Sequence, residues 1–214
     1  MAIIALQSAS SGLNSLNTKL DVIANNLANS TTAGFRAEET KFEAMLGDES
    51  TENVHFSSSG DTYITREAGA LTKTDNPLDV AIEGNGFLQV RRPNGDVAFT
   101  RAGNLKVDAQ GQLVTVDGFS VEPQISIPTD AMNVNISPDG VISVVTAGDN
   151  SAQEIGQLQL ATFANPAGLE AAGRSLFLPT NASGQAIVAT PGQEGTGTLA
   201  QGFLEGSNVE VVTE

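Results

Sequence analysis

Leu6, Leu13, Leu20 and Leu27 recur at intervals of seven residues near the N-terminus, and this spacing constrains the chain more than any other feature. With those leucines at heptad position a, Ala9, Leu16 and Ile23 fall at d, so an apolar stripe runs along one side of a helix for about three heptads. A single helix cannot bury such a stripe. Between Ile3 and Phe35 the only charges are Lys19 and Asp21, and the remaining faces carry Ser, Thr and Asn. Uncharged polar groups tolerate crowded contacts without the desolvation cost of an ion, so those faces read as packing surfaces too. Two arrangements satisfy the pattern: a helix laid on its own domain, or a helix waiting for a partner in an assembly.

Asn29, Ser30, Thr31, Thr32 and Gly34 end the helical pattern. Residues 36–46 suggest a short charged helix with Phe42, Met45 and Leu46 inward, and Gly47 to Glu52 an acidic linker. These boundaries divide the chain into an N-terminal segment, 1–46, and a β-rich domain, 47–204. Beyond Val54 the apolar period changes from helical to alternating. Short runs such as Phe87 to Arg91, Val97 to Thr100 and Leu113 to Val116 are punctuated by Asn94-Gly95, Gln110-Gly111 and Asp117-Gly118, dipeptides suited to tight hairpins. Further strands are expected at Asn133 to Ile136, Val141 to Val145, Leu158 to Phe163 and Leu176 to Leu178. Gly184 to Gly202 reads as loop, and Glu205 to Glu214 as a polar tail. The expected class is mainly β: a glycine-turn-rich domain of sandwich or barrel type with a long N-terminal α-helix of coiled-coil character.

Charge and composition narrow the function. Ten Lys and Arg face 25 Asp and Glu, and a net charge of −15 repels nucleic acid and anionic lipid. No cysteine is present, which excludes disulfides and thiolate metal sites. No apolar run is long enough for a transmembrane helix, and the N-terminus lacks a basic n-region, so a cleaved Sec-type signal is not expected. Catalytic reagents are scarce. His55 is the sole histidine, flanked by Val54 and Phe56 as in an ordinary strand or loop. Gly84-Asn85-Gly86 lacks the following glycine of a dinucleotide fingerprint and stands in a β pattern. Glu38-Glu39 and Asp48-Glu49 lack calcium-loop spacing. An enzyme, a cofactor and a metal site are therefore not expected; a β-rich binding or adhesin module with a helical oligomerisation stalk is the alternative to a structural subunit. That alternative is weakened by the absence of Trp and the presence of a single tyrosine, Tyr63.

Residues 20–43, LDVIANNLANSTTAGFRAEETKFE, resemble the N-terminal motif of the bacterial flagellar axial proteins, with Asn25, Asn26, Leu27, Asn29, Gly34 and Phe35 as the matching motif positions. NPLDVAIEGNGFLQV at 76–90 and FTRAGNLKVDAQGQLVTVDGFSV at 99–121 are similar to the β domain of rod and hook subunits. Residues 156–180 and QGFLEGSNV at 201–209 resemble the flagellar basal-body rod proteins in particular. The 156–209 region looks most like the distal rod subunit, and the short acidic link before Gly60 is nearer the proximal one; a hook-type subunit would normally be longer. The resemblance implies a self-assembling structural subunit of a helical tube that transmits torque. It implies export through the flagellar type III apparatus without a cleaved signal, a place in the periplasm-spanning rod, and partners that are copies of itself and other rod and hook axial proteins. It also implies a second helix beyond 205–214 that pairs with the first, so the chain is expected to continue past Glu214.

Overall fold

The computed structural model describes residues 2–42, 60–65 and 67–210. The expected linker, His55 and Asp48-Glu49 lie outside the described residues, as do Met45 and Leu46. Helix α1 spans Ala2–Ala28. It is followed by β1 (Glu38–Phe42), β2 (Gly60–Ile64) and β3 (Leu71–Lys73), then β4 (Val80–Glu83), β5 (Phe87–Arg91) and β6 (Val97–Thr100). Next come β7 (Leu105–Val107), β8 (Leu113–Thr115), β9 (Ser120–Glu122), β10 (Ala131–Ile136), β11 (Val141–Thr146) and β12 (Asp149–Gln157). The chain completes its sheets with β13 (Leu160–Thr162), β14 (Glu170–Ala171), β15 (Leu176–Leu178), β16 (Ile187–Ala189), β17 (Thr198–Gln201) and β18 (Phe203–Glu205).

The largest sheet runs β14-β15-β6-β5-β9-β8-β7, with β13 bridging β5 and β16. A three-stranded meander, β10-β11-β12, and the pairs β1-β2, β3-β18 and β4-β17 surround it. Among the described residues the sheets do not close into a barrel. The hairpin dipeptides act locally: Gly95 turns β5 into β6 at φ 91°, where a glycine carries no steric penalty. Strand β5 is central because both of its faces are buried. Leu88 enters the main core with Val80, Ile82, Leu113, Val121 and Leu160, whereas Phe87 enters a second core with Phe99, Phe163 and Phe177. Rings in that second core meet edge to face, Phe99 and Phe163 at 4.8 Å and 90°, an arrangement in which the positive ring edge meets the negative face.

Three expectations need correction. Residues 38–42 form strand β1 rather than a helix, because their backbone pairs antiparallel with β2, Glu38 opposite Ile64 and Thr40 opposite Thr62. The segment read as loop, 184–202, contains β16 and β17. Each is set by a partner distant in sequence: Leu199 pairs with Ile82, and Val188 with Ala161. Glu205, read as the start of a polar tail, is buried at the end of β18.

Helix α1 packs on β1. Among its described side chains it buries Ser15, Val22 and Asn26, with Thr18 half-buried between them, a stripe at helical spacing on one face. The heptad leucines lie on another face. Leu6, Leu13, Leu16, Leu20 and Leu27 are all more than half exposed, Ile23 is half-buried, and the side chain of Ala9 lies outside the described ones. The intramolecular contact of the helix thus uses a polar and valine stripe and leaves the leucines in solvent.

This division predicts opposite outcomes for two deletions of the same size. Leu160→Ala, in the main core at 0% exposure, should cost about 2–5 kcal/mol and lower the melting temperature by roughly 5–15 °C. Leu20→Ala, at 62% exposure, should shift the melting of the isolated chain by no more than about 2 °C. Differential scanning calorimetry of both variants checks the pair.

Candidate functional site

The polar centre of the molecule is the side chain of Arg101, 1% exposed at the end of β6. A buried guanidinium is tolerable only when its donors are satisfied. Nη1 donates to the carbonyls of Gly84 at 2.8 Å and Gly86 at 2.7 Å. Nη2 donates to the carbonyl of Ile82 at 2.9 Å and lies 2.6 Å from Oε2 of Glu205. Nε donates to the same Oε2 at 2.6 Å. Every nitrogen of the guanidinium therefore has an acceptor, and the charge is matched by a carboxylate that is itself 1% exposed. The other oxygen of Glu205 accepts from the backbone N–H of Gly69 at 3.3 Å and faces Nη2 of Arg36 at 3.4 Å. Arg36 also donates to the carbonyl of Thr65 and lies 6.0 Å from the Phe87 ring centroid, within range of a cation–π contact. Burial, and then the charge of Arg101, depress the pKa of the Arg36 guanidinium, and Glu205 opposes both.

Five parts of the chain meet at this cluster: the turn after α1, residues 65–69, the β4–β5 region, the end of β6 and the exit of β18. Backbone contacts follow the same route. The N–H of Gly34 donates to the carbonyl of Glu205 at 2.8 Å. The N–H of Ala37 donates to Oδ1 of Asn208 at 2.7 Å, while Nδ2 of Asn208 donates to Oγ1 of Thr65 and the carbonyl of Glu67. Residues 205–208 therefore run beside residues 34–37.

The motif residues have distinct tasks here. Asn26, 1% exposed, donates from Nδ2 to the carbonyl of Glu38 at 2.9 Å and accepts the N–H of Glu38 on Oδ1 at 3.0 Å. Its amide thus satisfies both backbone groups of one residue, as a neighbouring strand would. Asn29 closes the helix by donating from Nδ2 to the carbonyl of Asn25 at 2.9 Å, and Oγ1 of Thr32 donates back to Asn29. Gly34 has φ 66°, and a Cβ there would lie 2.3 Å from the backbone nitrogen of Ala102. Only glycine lets the turn lie against the Arg101–Ala102 backbone. Phe35 is buried at 9% exposure. The structure thus brings Asn26, Gly34 and Phe35 to the base of the helix, Asn25 and Asn29 to its C-terminal cap, and leaves the heptad leucines apart from them on the exposed face.

Sequence reasoning missed Arg36, Arg101, Glu205 and Asn208 as a group. The available signal was weak: Arg101 directly follows the apolar run Val97 to Thr100 in a chain with few cations. A cleft of about 350 Å³ adjoins the cluster, lined in part by Arg36, Phe87, Phe163 and Glu194. Its most buried cation, Arg101, already has each guanidinium nitrogen engaged by the protein. Glu38 and Glu39 are neighbours along β1, and among the described residues no group of three or more His, Asp or Glu is placed to hold a metal ion. The arrangement can hold chain segments in a fixed relation; its polar groups are spent on that.

Comparison with known proteins bears on what is being held. Residues 6–36 match the family described as "Flagella basal body rod protein", and residues 81–144 the family described as "Flagellar hook protein FlgE/F/G D1 domain". The "Flagellar basal-body rod protein FlgG" of Caulobacter vibrioides is 40% identical, over 98% of this chain and 87% of the relative. Its namesake in Borreliella burgdorferi is 39% identical over 98% of this chain and 86% of its own length. The "Flagellar basal-body rod protein FlgF" of Rhizobium meliloti is 33% identical over 93% of this chain and 79% of the relative.

Two predictions concern the base of the helix. Asn26→Ala leaves both backbone groups of Glu38 without these partners and should cost about 1–3 kcal/mol; Gly34→Ala should cost at least as much, since it adds left-handed strain to a backbone overlap. Denaturant unfolding monitored at helix and β signals checks both. The second concerns pH. Glu38 is half-buried, and desolvation raises its carboxyl pKa. The folded protein then binds the proton more tightly than the unfolded chain, so this group favours folding increasingly as pH falls from neutrality through the raised pKa to the ordinary carboxylate value. Glu38→Gln should stabilise the protein at pH 7 and remove that part of the pH slope, which thermal melts between pH 4 and pH 7 would reveal.

Proposed function

The chain belongs to the flagellar basal-body rod protein family and is a structural subunit of the rod, and on that footing we propose that it is a distal-rod-type subunit whose heptad face packs against other helices of the assembled tube. The observation that carries this reading is the exposure of Leu6, Leu13, Leu16, Leu20 and Leu27 on a helix that uses Ser15, Val22 and Asn26 for its own domain. A stripe of large apolar side chains on a helix docked by another face marks a surface for a partner. The residues of the packing face are those leucines together with Ala9 and Ile23. Segment 1–46 supplies the axial part, and 47–204 supplies the β-rich part. The partners are copies of this chain and other axial proteins. The subunit transmits torque by packing and carries out no chemistry; it reaches the periplasm-spanning rod through the flagellar export apparatus without losing a signal peptide, and it neither binds nucleic acid nor enters a membrane.

A hook-type subunit is the second reading, favoured by the match of residues 81–144 to a domain shared by hook and rod proteins. The relatives described above carry rod names over nearly the whole chain, which favours the rod.

Leu20→Asp and Leu27→Asp, introduced into the chromosomal gene, should each abolish motility and leave basal bodies without a complete rod. In an assembled contact the aspartate is an unpaired charge among apolar groups, costing several kcal/mol per subunit. Because both positions are exposed in the isolated chain, its thermal melting should stay within about 2 °C of wild type. Full motility with aspartate at both positions would refute the packing face.

A further inference from the structure

We propose that Glu205 is the positioning residue for the N-terminal helix: delivered by β18, its carboxylate seats residues 34–38 on the β domain and thereby fixes the direction in which α1 leaves it. The inference deepens the rod-subunit reading by naming the group that would set subunit geometry, and the docking event itself is measurable on the isolated chain.

The two cations differ in how far their partners are independent of Glu205. Arg101 keeps the carbonyls of Ile82, Gly84 and Gly86 whether or not the carboxylate is present, all of them in the β4–β5 region. It is anchored by the β domain. Arg36 differs, because it belongs to the turn that follows α1 and lies in the field of Arg101, which acts against its charge. Among the described residues, Glu205 is a carboxylate that pairs with both cations. With Glu205 absent, two like charges would face each other in a dry site, and at short range in low dielectric that repulsion is larger than any exposed ion pair. The relaxed alternative is for Arg36 to leave, and with it the turn.

The backbone on either side of Glu205 completes the same docking. Gly34 donates to the Glu205 carbonyl, and Ala37 donates to Asn208 three residues further on. Glu38 is joined to α1 through Asn26, so a displacement of 34–38 is transmitted to the helix. Strand β18 needs an anchor of this kind. Its pairing partner β3 exposes all three of its residues, Leu71, Thr72 and Lys73, and a two-stranded pair without a buried face on one strand is weak by itself. Glu205 is the buried residue of β18.

Hydrogen exchange of the 214-residue chain tests this, with Gly34 and Ala37 amides reporting the docked turn and Leu88 and Val90 amides the β core. In Glu205→Gln, one end of the side chain becomes an NH2 that must face a donor, either on Arg101 or on Gly69 and Arg36. Exchange at Gly34 and Ala37 should accelerate at least about tenfold more than at Leu88 and Val90, whose exchange reports the loss of global stability that follows when Arg101 loses its carboxylate. Arg36→Met should leave the turn protected, and adding it to Glu205→Gln should restore protection at Gly34 and Ala37 by removing the charge that faces Arg101. If Glu205→Gln opens the core, Glu205→Asp serves instead: it keeps the charge, withdraws it by one methylene, and should loosen the turn selectively. Unchanged exchange at Gly34 and Ala37, equal acceleration of turn and core in both Glu205 variants, or no recovery in the double variant would each overturn the assignment. Motility separates the two levels. Selective opening of the turn with normal rods would leave the positioning role intact and count against the proposed axial packing, whereas an unopened turn with lost rods would count against the positioning role alone.

Discussion

The buried contact between Arg101 and Glu205 is the constraint on which the arrangement of the rest depends. A guanidinium and a carboxylate, each 1% exposed, are expensive to remove from water, and their attraction offsets that cost only where the geometry is close and the remaining donors are satisfied. Both conditions hold. The cluster therefore contributes specificity of arrangement more than net stability: segments 104 residues apart in the chain must meet in one register for the charges to be matched. A misdocked β18 would leave one of two ions stranded.

Around that contact the molecule is built in two grades of packing. The main core, with Leu88, Leu113, Ile142, Leu158 and Leu160 at or near zero exposure, is dry and closely filled, and it gives the β domain its stability. The join between that domain and the N-terminal helix is polar: Asn26 on Glu38, Asn208 on Ala37 and Thr65, Glu205 on Gly34. Such contacts are directional, so they define an angle between elements, whereas an apolar contact of the same size would tolerate sliding. A subunit that must repeat many times in a helical array has use for a defined angle at its joints, and a heptad face left in solvent has use for a helix delivered at that angle.

Much of the fold was legible in the sequence where the physics is local. Asn94-Gly95 and Asp117-Gly118 turn hairpins because glycine reaches left-handed backbone without strain, and the flanking runs became β5, β6, β8 and β9. Less was legible where pairing overrides composition. Residues 38–42 carry the charges of Glu38, Glu39 and Lys41, as a surface helix does, yet they are a strand because β2 and the amide of Asn26 pair with their backbone. Thr198–Gln201 stands in a stretch rich in Gly, Thr and Gln, yet it is a strand because its backbone pairs with β4. At the site, Gly34 and Asn26 stood in a recognised motif without a visible reason, and that reason lies in the backbones of Ala102 and Glu38.

By itself the sequence determined the helix with its leucine period, the turn positions and the β character of the remainder, all of which follow from the order of residue types along a short stretch. Only the tertiary structure decided which face of α1 lies on the domain, that 184–202 contributes strands, and that Arg36, Arg101 and Glu205 form one cluster. The physical reason is the range of the interaction. Backbone preference and periodicity act over a few residues and leave a trace in local composition, whereas a charge pair between distant segments is written as three ordinary charged residues until the chain folds and removes them from water.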